Sequence, residues 1–252
     1  MENYPDQNGS SIELKPTREF AGLIDKFWFV QKNEKYRQGH FEILPDGNFD
    51  LLFILADSWC KLVFAGPYTR KFCVPMLGEY DYFGIRFRSG KMPRIADIKP
   101  VDLVDTMITP HKILGMDIDA LGERLYFLER IESKQAFMED AFRKAGLETI
   151  APAGIGIRSA EIIESSGGQI KVNDLACLAG VSIRTLERVF LTEVGMPPKT
   201  FIRCIRFQDT LEKMRSGKYR SLAEIACECG YADQSHFIKD YKQLSGRLPG
   251  CF

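Results

Sequence analysis

The last third of the chain is written twice, and the repeated unit reads as a helix-turn-helix. One copy runs Leu175-Ala176-Cys177-Leu178-Ala179-Gly180-Val181-Ser182, then Leu186, Arg188, Phe190, Gly195, Pro198 and Phe201. The other runs Ile225-Ala226-Cys227-Glu228-Cys229-Gly230-Tyr231, then Phe237, Lys239, Tyr241, Gly246, Pro249 and Phe252. The offset is 50 positions up to the turn and 51 after it, so the second copy carries one extra residue in its turn. Ala176 and Ala226 let two helices approach closely. Gly180 and Gly230 end each first helix where a left-handed backbone is needed. Leu186 and Phe190, like Phe237 and Tyr241, sit four apart on one face of each second helix, the face that packs on the first. Gly195 and Gly246 stop the second helices, each with a proline three residues on. Ser221-Leu222-Ala223-Glu224 is a capping box, whereas its counterpart Lys171 cannot cap, so that helix end is expected to be weaker.

Between the copies, Pro198 to Arg215 reads as one long helix with Phe201, Ile202, Ile205, Phe207 and Leu211 apolar and Arg203, Arg206 and Lys213 among them. At about 1.5 Å per residue it spans roughly 27 Å, against about 34 Å for a turn of DNA. Two second helices held that far apart suit successive major grooves on one face of a duplex.

Residues 155–252 resemble the DNA-binding domain of the AraC/XylS transcriptional regulators. The resemblance is carried by Asp174-Leu175-Ala176 with Gly180-Val181-Ser182, by Ile225-Ala226 with Gly230-Tyr231-Ala232-Asp233-Gln234-Ser235-His236-Phe237, and by Ser245-Gly246-Arg247-Leu248-Pro249. It implies a seven-helix domain that binds double-stranded promoter DNA through two recognition helices. By that pattern Ile183, Arg184, Glu187 and Arg188 of the first helix face DNA, with Gln234, Ser235, His236 and Lys239 of the second. Lys239 stands where the family usually has Arg, which turns a bidentate contact into a point charge. For Arg184 and Arg188 the alternative is a solvated helix face. Arg203 and Arg206 read equally as phosphate clamps or as surface charges.

Charge agrees weakly. The whole chain is neutral, with 34 basic and 34 acidic residues. Residues 151–252 hold 14 Lys and Arg against 11 Asp and Glu, a net of +3, which leaves 20 against 23, a net of −3, for residues 1–150. The pull on phosphate therefore lies in the C-terminal part, and non-specific DNA binding is expected to be weak and salt-sensitive.

The N-terminal part is of a different kind. Residues 1–17 are polar and expected to be loose. Phe27 to Val30, Phe49 to Leu55, Leu62 to Phe64, Phe72 to Val74 and Tyr82 to Phe87 read as strands, with turns at Pro45-Asp46-Gly47-Asn48 and Gly66-Pro67-Tyr68. Ile113, Ile118, Leu121, Leu125 and Leu128 predict one amphipathic helix, and Ile131 to Ala145 another. Thr149 to Gly154 is the expected linker. The fold class is thus α+β over 18–150, a small β-barrel or curled sheet followed by helices, joined to an all-α domain over 155–252 with two helix-turn-helix motifs.

In the family, an N-terminal domain of this size senses a small molecule, drives dimerisation, or both. Leu44-Pro45-Asp46-Gly47, Asp50-Leu51-Leu52-Phe53, Gly66-Pro67 and Gly84 to Gly90 resemble a subgroup whose ligands are mostly unassigned. Arg86 is a candidate anion contact inside the sheet, the alternative being a strand arginine paired with Asp46 or Asp50. Trp28, Phe53, Tyr68 and Tyr82 either line an apolar ligand pocket or form ordinary core. Helices from 111 to 145 are the expected homodimer interface, and RNA polymerase is a further expected partner.

Seven cysteines without disulfide-scaffold spacing read as reduced thiols. Cys227-Glu228-Cys229 and Cys177 read as buried small side chains rather than metal ligands. No phosphate loop, dinucleotide fingerprint or metalloprotease motif occurs, so neither cofactor nor metal is expected. No run of residues is apolar enough for a membrane span, and no apolar signal core opens the chain, which points to the cytoplasm. Two rival classes stand beside the DNA-binding regulator. One is an interaction module that has lost DNA binding. The other is an enzyme fused to a DNA-binding tail, of which the known example is a DNA-repair methyltransferase. That chemistry needs a reactive cysteine in a Pro-Cys-His-Arg setting, which neither Cys60 nor Cys73 has.

Overall fold

A computed structural model describes residues 11–32, 39–95, 97–147 and 154–250. Residues 1–10 of the expected loose tail, 149–153 of the expected linker, and Cys251 and Phe252 lie outside the described residues. In chain order the strands are β1 Ser11–Leu14, β2 Ile24–Val30, β3 Gly39–Ile43, β4 Asp50–Leu55, β5 Cys60–Ala65, β6 Phe72–Met76 and β7 Asp81–Phe87. Helix α1 (Pro100–Leu103) follows, then β8 Met107–Ile108, β9 Lys112–Ile113 and β10 Met116–Asp117. Helices complete the chain: α2 Ile118–Phe127, α3 Ile131–Lys144, α4 Ile155–Ser165, α5 Val172–Leu178, α6 Ile183–Val194, α7 Pro198–Ser216, α8 Leu222–Glu228 and α9 Gln234–Ser245.

The five strands expected from alternation all form, but they close no barrel and no curled sheet. The main sheet is open, in the order β1-β2-β7-β4-β5-β8, antiparallel throughout. β3 pairs with β6 in a separate two-stranded ribbon, and β9 with β10 in another. The reason lies in how the apolar face is covered. Phe27, Phe29, Phe83, Ile85, Phe87, Leu51, Phe53, Leu55, Leu62 and Phe64 line one face. Helices α2 and α3 bury it with Leu121, Leu125, Met138 and Phe142. A face sealed by helices gains nothing from curling the sheet on itself. Its edges are instead blunted by short strands, four residues in β1 and two in β8.

The sheet also reaches into the segment expected to be loose, because Ser11–Leu14 pairs with Phe27–Val30. The first amphipathic helix is shorter than its pattern suggested. Ile113 sits in β9, and α2 starts at Ile118, where the Asp117 carboxylate accepts the amides of Asp119 and Ala120. Leu128 lies just past its end.

Lys134 is the odd residue in this core. It is 1% exposed, donates to the Leu125 carbonyl and lies 5.2 Å from the Phe29 ring centroid. Burial pushes its ammonium down to about 8. Between that value and the ordinary 10.5 the unfolded chain holds the extra proton, so folding stability rises with pH across this window. Lys134→Met is expected to flatten that rise and to stabilise the protein by about 1–2 kcal/mol at pH 7. Urea unfolding at pH 7 and pH 10 measures both, and a loss of stability at pH 7 would show the lysine to be well solvated.

Candidate nucleic-acid interface

The two modules superimpose in sequence down to their turns. Val181 and Gly180 amides return to the carbonyls of Ala176 and Cys177, at 3.1 and 3.0 Å. Tyr231 and Gly230 amides return to Ala226 and Cys227 in the same pattern, at 2.9 and 3.1 Å. Gly180 and Gly230 take φ of 66° and 70°, the left-handed region that favours glycine. The one extra residue of the second copy lies between Tyr231 and the cap residue Asp233. Ser182 caps α6 by accepting the Thr185 amide at 3.2 Å, and Asp233 caps α9 by accepting the His236 amide at 2.7 Å. These two caps were missed, although Ser182 and Asp233 stand at the repeat offset of 51 directly before each helix and could have been read from it.

The expected capping box is half made. Ser221 Oγ accepts the Glu224 amide at 3.2 Å, but Glu224 turns to the Arg220 amide, not to that of Ser221. Lys171 makes no side-chain cap, as expected.

Each second helix is pinned by its apolar face. Leu186 and Phe190 are buried under α6, and Phe237 and Tyr241 under α9. Ala176 and Ala226 are buried where the first helices cross. The opposite faces are open. Ile183, Arg184, Glu187 and Arg188 are exposed along α6, and Gln234, Ser235, His236 and Lys239 along α9. Both sets begin at a capped helix start, where backbone N–H groups and the positive end of the helix dipole suit phosphate. His236 is oriented. Its Nδ1 accepts the Ala232 amide at 3.4 Å, and its ring meets Tyr231 edge-on at 5.4 Å.

Arg203 and Arg206 do not belong with this set. Arg203 Nε donates to the buried Asp240 at 2.9 Å, and its Nη2 reaches Gln243 at 3.0 Å. Arg206 Nε donates to the Gly168 carbonyl at 3.0 Å and its guanidinium lies over the Tyr231 ring at 5.5 Å. Both tie helices together: Arg203 fixes α9 on α7, and Arg206 joins the α4–α5 turn to the second module. Six helices, α4 to α9, stand among the described residues of this region, where the resemblance implies seven.

The candidate ligand residues are not brought together. Phe53 faces the core under α2 and α3. Trp28 and Tyr82 pack on the other side of the sheet with Leu52 and Ile54, and Tyr68 joins Ile43 and Ala65 in a third cluster. The split follows from register: Trp28 and Leu52 both stand opposite Gly84, one position out of phase with Phe53. Arg86 takes the paired alternative. Its Nε and Nη2 hold Asp50 at 3.0 and 2.9 Å, and Nη2 lies 3.3 Å from Asp46. A cleft of about 290 Å³ opens beside this triad. Strand β2 lends it Asp25 and Lys26, the β3–β4 turn Asp46 and the segment after β7 Arg88 and Ser89, and helices α4 and α7 lend Glu164, Gln208, Asp209 and Glu212. Burial raises the Glu164 carboxyl above its ordinary value.

The cysteines divide. Cys229 and Cys204 are buried, and burial pushes both thiols up. Cys60 is half-buried and pushed up to about 12. Cys177 and Cys227 are exposed instead of buried, because each points away from the alanine that makes the helix crossing. No helix among the described residues is long and apolar enough to cross a membrane.

Comparison with known proteins agrees with this geometry. Residues 175–252 match the model of a helix-turn-helix domain, and residues 12–109 match that of a domain of unknown function. An uncharacterized HTH-type transcriptional regulator from Haemophilus influenzae is 26% identical over 196 residues, covering 71% of this chain and 61% of that protein. The XylDLEGF operon transcriptional activator of Pseudomonas putida is 31% identical over 90 residues, covering 35% of this chain and 28% of the activator. The chain therefore spans under two thirds of the length of either. Both are regulators, not enzymes. Among solved structures, ToxT from Vibrio cholerae is 12% identical with a TM-score of 0.46, covering 96% of each chain. Over residues 175–252, which hold its double helix-turn-helix module, the chain is thus similar to helix-turn-helix transcriptional regulators.

Proposed function

We propose that this protein is a sequence-specific transcriptional regulator that binds double-stranded promoter DNA with α6 and α9 in successive major grooves. The observation that carries the proposal is the pair of equivalent, capped helices with polar, unobstructed outer faces on one strut. Helix α7 has 19 residues, about 28 Å at 1.5 Å per residue, close to the roughly 34 Å of a helical turn. In this reading Arg184, Arg188, Gln234, Ser235, His236 and Lys239 meet bases or phosphates, with Ile183 and Glu187 beside them. Arg203 and Arg206 shape the domain instead.

Selection from a random DNA pool with the full chain tests the proposal. The expected product is a site with two half-elements about one turn apart; a pool that never enriches would refute it. Arg188→Ala is expected to weaken binding to that site by about 1–3 kcal/mol. Its thermal stability should stay unchanged, because the side chain is exposed. A melting temperature that falls with the affinity would make Arg188 structural.

For the effector, our reading moves from the scattered aromatic residues to the polar cleft, which both halves of the chain line. Gln208→Trp, which would fill it, is expected to abolish any effector response of a promoter reporter while DNA binding persists; a surviving response would move the site elsewhere. We keep α2 and α3 as the proposed homodimer surface and RNA polymerase as the proposed target of the bound regulator. Light scattering of the full chain showing only monomer, with and without DNA, would count against the dimer.

A further inference from the structure

The N-terminal half holds both recognition helices by their C-terminal ends. At the second module, the Lys71 amide donates to the Leu244 carbonyl in the last turn of α9 at 3.1 Å. Glu42 on β3 accepts from Lys71 Nζ at 2.9 Å and also pairs with Arg247, just beyond that helix. Leu44 is 6% exposed and is part of the second module's own core, with Phe207, Leu211, Tyr241 and Leu244. At the first module, α1 lies against the end of α6. A Cβ on Gly195 would stand 2.6 Å from the Pro100 carbonyl oxygen, and Val104 packs into the cluster of Leu186 and Phe190.

Between these two grips, the β3–β4 turn rests on the strut α7. The Pro45 carbonyl accepts Gln208 Nε2, and a side chain on Gly47 would collide with the Phe201 ring. The Tyr68 carbonyl faces Cys204 Sγ at 3.8 Å. A single helix joining two small modules leaves their relative twist to a few side chains. Here one sheet-based body touches the strut and the far end of each reading helix, so that twist is set by three separated contacts.

We infer that the N-terminal half is a brace that determines which spacing between DNA half-elements the protein accepts, with Glu42, Leu44 and Gly47 as its positioning residues. The inference rests on the proposed DNA binding. Moving one half-element by one base pair displaces it about 3.4 Å along the axis and turns it by roughly a tenth of a revolution. A braced pair of helices cannot follow that change, whereas a pair joined only by α7 can.

The experiment uses the full chain, the DNA site selected above, and versions of that site with the half-elements one base pair closer or farther apart. Wild type is expected to lose about tenfold or more in affinity for either respaced site. The double variant Glu42→Gln, Leu44→Ala frees the second module at both its surface clamp and its core contact. Its loss on respacing should shrink to within about threefold, while its affinity for a single half-element stays that of wild type. Glu42→Gln alone, which removes only a partly exposed carboxylate, should lie between and keep its melting temperature. Two results overturn the inference. One is a wild-type spacing penalty retained in both variants, which would make α7 and Arg206 sufficient. The other is loss of half-element binding in step with spacing preference, which would mean module damage. Failure to enrich any site with wild type would sink the DNA-binding proposal and the brace together; an enriched site with unchanged spacing preference sinks the brace alone.

Discussion

Arg86→Met should unfold this protein more readily than any surface change, at a cost of about 3–5 kcal/mol. Arg86, Asp46 and Asp50 are each at most 6% exposed, and the arginine is the shared partner of both acids. Removing it takes the shared cation from two buried carboxylates that stand 36 and 40 positions away in sequence. The triad sits where the β3–β4 turn meets the sheet: the Asp46 carboxylate also accepts the Asn48 amide at 3.2 Å, and Asn48 Nδ2 donates to the Phe87 carbonyl at 2.7 Å. Loss should therefore spread to the turn that rests on α7. Adding Asp46→Asn and Asp50→Asn should recover much of the loss, because neutral amides cost less to bury than charges. Urea unfolding of the single and triple variants decides this. A single variant within about 1 kcal/mol of wild type would mean that water reaches the carboxylates and that the site is not a closed ion pair.

The strands and the modules were legible for the same reason: both announce themselves by period. Phe83, Ile85 and Phe87 alternate with Tyr82, Gly84 and Arg86, and that alternation alone divides β7 between core and triad. The repeat offset of 50 then 51 located α5 against α8 and α6 against α9 without any fold being assumed. What could not be read was decided by partners far away in sequence. Whether the sheet closes depends on the two-residue edge strand β8 and on helices α2 and α3 lying over its apolar face, neither of which leaves a mark in the strands themselves. Arg203 and Arg206 read equally as phosphate clamps or surface charges because their protein partners, Asp240 and the Gly168 carbonyl, stand 37 and 38 positions off. Whether the four aromatic residues line one pocket or form ordinary core stayed open because type and apolarity say nothing of register, and a strand's two faces differ by a single position. The brace was equally hidden: nothing in Leu44-Pro45-Asp46-Gly47 says that its leucine completes the core of a module that begins only at Leu222.

That shared core sets the second large expectation, since the two modules should fail differently when the same kind of residue is removed. Phe190→Ala and Phe237→Ala each delete a fully buried ring and should each cost about 3–5 kcal/mol. Phe190 stacks edge-on with Phe201 at 5.4 Å in the cluster that Val104 joins from the N-terminal half. Phe237 packs with Tyr241 at 5.7 Å in the cluster that Leu44 completes. Because these clusters are separate, amide hydrogen exchange should locate each loss. Phe190→Ala should strip protection from α5 and α6 while α8 and α9 keep theirs. Phe237→Ala should open α8 and α9 and, through Leu44 and the Lys71–Leu244 hydrogen bond, also raise exchange in β3 and at the start of β6. The spread into the N-terminal half is the discriminating part. If Phe237→Ala opens α8 and α9 but leaves β3 fully protected, the leucine is a passenger on the module's surface and the halves fold as independent units. If both variants open all four helices alike, the modules are one cooperative body and the strut α7 transmits the loss of either core to the other.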